Sequence, residues 1–449
     1  MGAHAAAAAR GGVRPTRGQG HHLAPASPPR HSAPATTRGN ALSATILRPA
    51  RATGFGADAW RLLFAGFAIF TVRWGEALAG AVFVFQRTHA PFPVAMLMLL
   101  RLLPMALFGA PIGAWAERFP HRPALALTIL VMGASSAVLA YLGFAGRLQV
   151  WEVMAASFVN GLGWAADNPV RRVALGLAVG TERMGRAMSR DVAATTGSRM
   201  LGPAIGGALL AWGGIGSVFS LSVALYAAAL AATLALPLLP AAGRGGVGVL
   251  AGIAAGLRLA RRDARLFAVL LVTVIYNIFA WPFTSLVPVI ASTDLHLGAA
   301  GTGVLASMDG VGALIGAVGL AAFVRRRQFA GAYMGGVISY TALLMVFALM
   351  PGPVLAGAAL LATGLGGAGF SVMQATLVYL FAPAEMRGRM LGVLSVCIGA
   401  GPVGFLALGA AADAVGARAA TLGTGALGLV ALAASFPLWR VLLRGDAAG

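Results

Sequence analysis

Residues 70–85 read FTVRWGEALAGAVFVF, an apolar stretch that holds Arg73 and Glu76 three positions apart. A second carboxylate, Asp309, sits in the apolar run LASMDGVGALIG, and two more arginines, Arg101 and Arg199, interrupt apolar sequence elsewhere. A charge at lipid depth costs about 3 kcal/mol on insertion scales, so such groups mark cavities or proton relays. A carboxylate in that setting exchanges protons; an arginine pairs with it. Arg73 and Glu76, at i and i+3, share a helix face and partly neutralise each other. Arg199 is a candidate partner for either Asp309 or Glu76. Glu76 and Asp309 are therefore the proton-coupling candidates, with Arg73, Arg101 and Arg199 as their charge partners.

Other chemistries lack their residues. All 33 basic residues are arginine, so neither a Walker A loop nor a lysine Schiff base can form. The single cysteine, Cys397, lies in an apolar run and reads as a small packing residue. The seven histidines fall in the N-terminal tail or in loops, which leaves the apolar runs without haem or metal ligands. No nucleophile–base spacing appears in those runs. The chain is expected to be no enzyme and to need no cofactor.

The elements that must position the charges are long helices. The chain of 449 residues is 59% hydrophobic and 10% charged, against about 25% charged in soluble domains. Its apolar runs are close to the roughly 20 residues that cross a bilayer. Twelve are expected, near 61–85, 94–115, 123–144, 151–169, 192–212, 216–238, 266–290, 302–323, 330–350, 354–379, 390–411 and 418–440; they are numbered span 1 to span 12. The reading is an all-α polytopic membrane protein with a basic disordered tail (1–58), a six-helix half (59–238), a cytoplasmic linker (239–265), a second half (266–440) and a C-terminal tail (441–449). The linker starts Gly-rich and ends as a basic amphipathic helix suited to a membrane surface. The tail either binds anionic headgroups or extends the reading frame; both stay open.

An even span number puts both termini on one side. With that side cytoplasmic, it holds 27 arginines and the opposite side three. This positive-inside bias accounts for the net charge of +20 without nucleic acid. One offset, 203 residues, relates the halves: Gly109 to Gly312, Gly113 to Gly316, Arg122 to Arg325, Glu182 to Glu385, Arg186 to Arg389 and Gly206 to Gly409. Parallel six-helix repeats joined by a linker are a transporter architecture.

The loop GAPIGAWAERFPHRP supplies Gly113, Glu117, Arg118 and Arg122, which resemble the G-x-x-x-D-R-x-G-R-R/K loop of the major facilitator superfamily. Glu replaces the usual Asp, Pro120 the second Gly, and His121 an Arg. The stretches DNPVRRVALG and TERMGRAMSRDVAATTGSRMLGPAIGG resemble the branch of enterobactin exporters and macrolide efflux proteins, through Asp167, Pro169, Arg171, Glu182, Arg183, Gly185, Arg186, Ala187, Arg199, Gly202, Pro203, Gly206 and Gly207. PAEMRGRMLG repeats the theme at 383–392. The resemblance covers roughly 58–440 and implies a twelve-helix fold. It implies a conformational latch at Gly113, Glu117, Arg118, Arg122, Asp167 and Arg171, and an antiporter-like motif in span 5 at Gly202, Pro203, Gly206 and Gly207. An acid after Gly is common at the position of Glu76; Arg73 is this chain's own feature and a candidate contact for an anionic cargo.

In span 7, IYNIFAWPFTSLVP offers Tyr276, Asn277, Trp281 and Thr284 around Pro282, and span 10 offers Gln374; these are candidates for lining a cavity for a large amphipathic ligand. The expected function is a proton-coupled exporter of a hydrophobic or amphipathic small molecule, siderophore- or macrolide-like. It would act as a monomer in the plasma membrane, with partners limited to cargo, protons and the lipid bilayer. The alternatives are an importer or uniporter of the same fold, or a non-transporting scaffold or sensor.

Overall fold

Apolar helices are the form this chain must take in lipid, because every backbone N–H and C=O has to be satisfied within the segment. The computed structural model describes residues 55–116, 120–238 and 249–446. The tail through residue 54, Glu117, Arg118 and the Gly-rich start of the linker lie outside the described residues. All regular structure among the described residues is helical.

Ten helical stretches among the described residues are long and apolar enough to cross a bilayer. One of them, Met184–Leu234, is spans 5 and 6 joined at Gly214, whose φ of 70° and ψ of −171° suit only glycine. The chain reverses there, and the Ser217 hydroxyl donates to the Leu209 carbonyl at 2.8 Å. Val150–Val179, at 30 residues, is also long enough but more polar, because it carries Asn160, Asp167, Arg171 and Arg172. Counting these, the described residues form the twelve expected spans. Large apolar side chains point outward where lipid would lie, Phe323 with 83% of its surface exposed.

The boundaries differ from expectation where charge or proline had suggested an end. Span 4 continues ten residues past 169, with Pro169 inside the helix. Its arginine is neutralised by aspartates there, so the charge does not force the chain out of the helix. Span 7 is not one regular helix. It runs Ala264–Ile275, a π turn Tyr276–Ala280, a 3-10 turn Trp281–Ser285 and a final helix Val287–Thr293. Asp263 caps its start, accepting from the Arg265 and Leu266 amides at 2.8 and 3.2 Å. Span 11 breaks between Arg387–Ile398 and Gly401–Val415. Span 12 ends at Ala434, and Phe436–Asp446 is a separate helix whose Trp439 Nε1 donates to the Leu432 carbonyl at 2.7 Å. The linker helix Val249–Arg262 packs on span 11: a β-carbon at Gly256 would fall 2.6 Å from Val393 Cγ2.

Glycine decides how the centre packs. Span 5 lies between span 1 (Ala57–Thr88) and span 8 (Ala299–Phe323). A β-carbon at Gly206 would lie 2.8 Å from the Gly75 carbonyl oxygen, and one at Gly207 would lie 2.8 Å from the Gly303 α-carbon. Successive residues of GPAIGG thus serve two neighbours, as small-residue packing in membranes permits. Span 11 repeats the arrangement, with Gly404 against the Ile278 backbone of span 7 and Gly409 against Ala95 of span 2 (Pro91–Ala116).

Candidate functional site

A narrow cavity of about 70 Å³ opens between these central helices. Its polar lining is Glu76 from span 1, Arg101 from span 2, Ser157 from span 4, Arg199 from span 5, Thr284 and Ser285 from span 7 and Asp309 from span 8. Trp74, Leu78, Val94, Leu97, Met98, Phe283, Val287 and Leu360 form much of the apolar wall. Both carboxylates singled out in the sequence face it, together with Arg101 and Arg199. Arg73 does not line it.

Glu76 is buried and held by neutral donors. The Ser136 hydroxyl of span 3 (His121–Phe144) donates to Oε1 at 2.6 Å, and the Asn160 amide of span 4 donates to Oε2 at 2.8 Å. Asn160 Nδ2 also reaches the Tyr226 hydroxyl of span 6 at 3.3 Å. A serine hydroxyl can donate to a carboxylate or accept from a carboxylic acid. Glu76 therefore has a partner in both protonation states.

The expected Arg73–Glu76 pair does not form. Arg73 is 3% exposed, its guanidinium carbon lies 4.3 Å from the Trp164 ring and 5.0 Å from that of Phe70, and none of its three nitrogens has a hydrogen-bond partner in the protein. The two side chains lie only about 60° apart around the helix but are drawn to different partners: Glu76 to Ser136 and Asn160 of spans 3 and 4, Arg73 to the Trp164 ring farther along span 4. Arg101 comes instead, its NH1 donating to the Arg73 carbonyl oxygen at 2.6 Å.

Asp309 is partnered by Arg199, which resolves the choice the sequence had left open. The pair joins span 5 to span 8, where a β-carbon at Gly310 would fall 2.7 Å from the Arg199 backbone. Arg199 also lies 5.4 Å from the Trp74 ring.

Of the latch candidates, Asp167 and Arg171 meet at 3.3 Å, and Arg171 also pairs with Asp191 of span 5, a residue the sequence reading missed. Arg172 closes on the same carboxylate at 3.2 Å. The Arg171 guanidinium occupies space that only a glycine at 66 leaves open. These residues tie spans 1, 4 and 5 to one another. Gly113 lies in the last turns of span 2 and Arg122 in the first turn of span 3, while Glu117 and Arg118 are outside the described residues. Asp191 was legible only as a lone acid on an arginine-rich side.

The aromatic cavity candidates lie elsewhere. Tyr276 is buried against Phe370, ring centroids 3.6 Å apart, and Asn277 donates to its own helix at the Thr273 carbonyl, 2.8 Å. Gln374 Nε2 donates to Thr273 Oγ1 at 2.9 Å, and Trp281 stands edge-on to Phe405 at 5.5 Å. The cause is the π turn at 276–280, which adds a residue to the repeat and turns Phe283, Thr284 and Ser285 to the cavity in their place. Of the span-7 group, only Thr284 lines it. Ser136, Asn160, Ser157 and Tyr226 were also missed, since isolated polar residues in apolar helices carry no periodic signal.

Comparison with known proteins follows the same lines. The sequence model of the Major Facilitator Superfamily matches residues 62–405. Macrolide efflux protein A of Streptococcus pyogenes is 25% identical over 221 residues, 47% of this chain and 54% of that protein. The Enterococcus faecalis protein of the same name is 25% identical over 213 residues, 45% of this chain and 66% of that protein. The match thus spans about half to two thirds of the length of these relatives. Among solved structures, a bacterial homologue of the lysosomal transporter Spinster, inward-facing and unoccupied, superposes with a TM-score of 0.67 at 15% identity, covering 88% of this chain and 99% of that one. A POT family transporter in complex with a thioalcohol-conjugated peptide gives 0.70 at 12% identity, covering 86% and 96%. At such identities the likeness concerns the fold.

Proposed function

The chain belongs to the major facilitator superfamily, and from that premise we propose that it is a proton-coupled exporter of hydrophobic or amphipathic small molecules, macrolide-like in size and polarity. It is a multi-pass membrane transporter and not an enzyme. The observation that carries the proposal is the central cavity, in which a buried carboxylate with neutral hydrogen-bond partners shares an apolar chamber with a carboxylate–arginine pair.

In this reading Glu76 carries the proton. Its partners Ser136 and Asn160 tolerate either charge state, and its position on the cavity wall lets cargo change its hydration. Asp309 is instead committed to Arg199, so its part is to hold span 5 to span 8. The six-helix halves 59–238 and 266–440 rock about the cavity, with both termini and the 239–265 linker cytoplasmic. Contacts between the halves support a state closed at the outer loops: Asp413 accepts from the Phe92 amide at 2.8 Å, and Gly207 abuts Gly303. The name of the curated relatives supports a macrolide-like cargo.

Export into everted vesicles, driven by an imposed pH gradient and followed with a panel of macrolides, tests this. Glu76→Gln should abolish gradient-driven export while leaving cargo binding and energy-independent exchange in place. Asp309→Asn serves as the control. If Asp309→Asn alone uncouples transport, the proton sits on the other carboxylate; if Glu76→Gln exports normally, proton coupling through Glu76 is wrong.

A further inference from the structure

The seam between spans 1 and 4 runs in antiparallel register. Gly80 faces Val153, Glu76 bonds Asn160, Arg73 lies over Trp164, and Gly66 makes room for Arg171. Polar groups occupy this line from the cavity wall to the Asp167–Arg171–Asp191 cluster, which ends at the half-exposed Arg172. Most of the buried side-chain atoms without a protein partner lie on it: the three Arg73 nitrogens, Trp164 Nε1, Arg171 NH2, and the oxygens Asn160 Oδ1, Asp167 Oδ1 and Asn168 Oδ1.

Donors and acceptors alternate along the line, the arrangement that internal waters bridge. Its charges also balance in one state only. Among its buried side chains, with the half-exposed Arg172 left to solvent, Arg73, Arg101 and Arg171 oppose Asp167, Asp191 and an ionised Glu76; a protonated Glu76 leaves one buried positive charge over. A buried guanidinium with no partner is costly, and Arg73 stands between two carboxylates, Glu76 a helical turn away on its own span and Asp167 across the seam.

We propose that the span 1–span 4 seam is a hydrated channel centred on Arg73, through which the charge of Glu76 is linked to the Asp167–Arg171–Asp191 cluster. Arg73 is a positioning residue that answers to whichever carboxylate is ionised. When Glu76 takes a proton, Arg73 turns by way of the waters toward Asp167 and loosens the hold of Asp167 on Arg171. The cluster that fastens spans 1, 4 and 5 thus responds to the coupling proton. This rests on the reading of Glu76 as the proton carrier. The other groups facing Glu76 are Arg101 of span 2 and Tyr226 of span 6, with the Arg199–Asp309 pair across the cavity.

Two measurements on the full chain in lipid nanodiscs test it, and neither uses cargo or a gradient. Radiolytic hydroxyl-radical labelling reads bound water: Phe70 in the seam should be labelled several-fold faster than Phe279, which is likewise partly buried but packs against apolar groups. Alkylation of a Ser157→Cys probe in a Cys397→Ser background reads the cavity; beside the midpoint of the thiol's own ionisation, a second pH midpoint set by Glu76 should appear and should vanish in Glu76→Gln. Arg73→Gln should move that midpoint up by about one pH unit and Asp167→Asn should move it down by a similar amount, as expected for unit charges at this range. Arg73→Lys should stay near wild type, and it keeps the test sound if Arg73→Gln folds poorly. Labelling of Phe70 no faster than Phe279 overturns the channel. A midpoint unmoved by both Arg73→Gln and Asp167→Asn overturns the link. Export by Glu76→Gln, by contrast, would refute the transport reading and not the channel.

Discussion

Glu76 shows how a single side chain in lipid is governed by its hydrogen bonds more than by its nearest charge in sequence. The Ser136 and Asn160 donors come from two other helices and reach opposite oxygens. A hydrogen bond to an ionised group is worth about 1.5–3 kcal/mol net, and it favours the charged form more than the neutral one. Ser136→Ala removes one such bond, so Glu76 should hold its proton to higher pH, and the pH profile of transport should move alkaline by about one unit. Transport measured across a pH series checks the sign. Asp309 obeys a different rule, since its direct cation fixes its charge. Breaking a buried pair from one side is more damaging than removing both members; Arg199→Ala should therefore lower thermal stability more than Arg199→Ala with Asp309→Ala, as a double-mutant cycle on the purified protein would show.

At the scale of elements, span 5 is a plate packed between spans 1 and 8. Gly206 presses on Gly75 within the first half, while Gly207 presses on Gly303 of the second. Adding a methyl to either position overpacks a close backbone contact, at a cost of about 1–3 kcal/mol. The consequences should nonetheless differ. Gly206→Ala should lower thermal stability with little change in cavity exposure, because the strain stays inside one half. Gly207→Ala should open the outer end, increasing labelling of cavity cysteines from the side of the 294–298 loop between spans 7 and 8. Equal labelling in the two variants would show that the plate does not divide its faces in this way. Span 7 teaches the complementary lesson. Its residues were recognisable as polar and aromatic, but one π turn exchanged the cavity-facing set for Phe283, Thr284 and Ser285.

The whole molecule is arranged by its solvent and its arginines. In the proposed topology 27 arginines lie on one side against three on the other, so the positive-inside rule predicts that both termini and the linker are cytoplasmic. Single cysteines in the 239–265 linker and the 294–298 loop should accordingly label from opposite sides of intact cells; labelling from one side would defeat this orientation. The linker helix adds a constraint, since Val249–Arg262 docks on the inner end of span 11. Any rocking of the halves must carry that helix along.

The sequence by itself determined the class of protein and its scaffold. Lipid permits so few backbone solutions that apolar run lengths alone predict the spans, and the glycines of GPAIGG announce a close packing face wherever they point. Tertiary structure alone decided the partners. Whether Arg73 meets Glu76, whether Arg199 meets Asp309, and whether Tyr276 faces cavity or core depend on helix rotation and crossing, which are set by glycine contacts and a π turn across segments more than a hundred residues apart. A side chain's type shows what it can do. Where its helix is turned shows with whom.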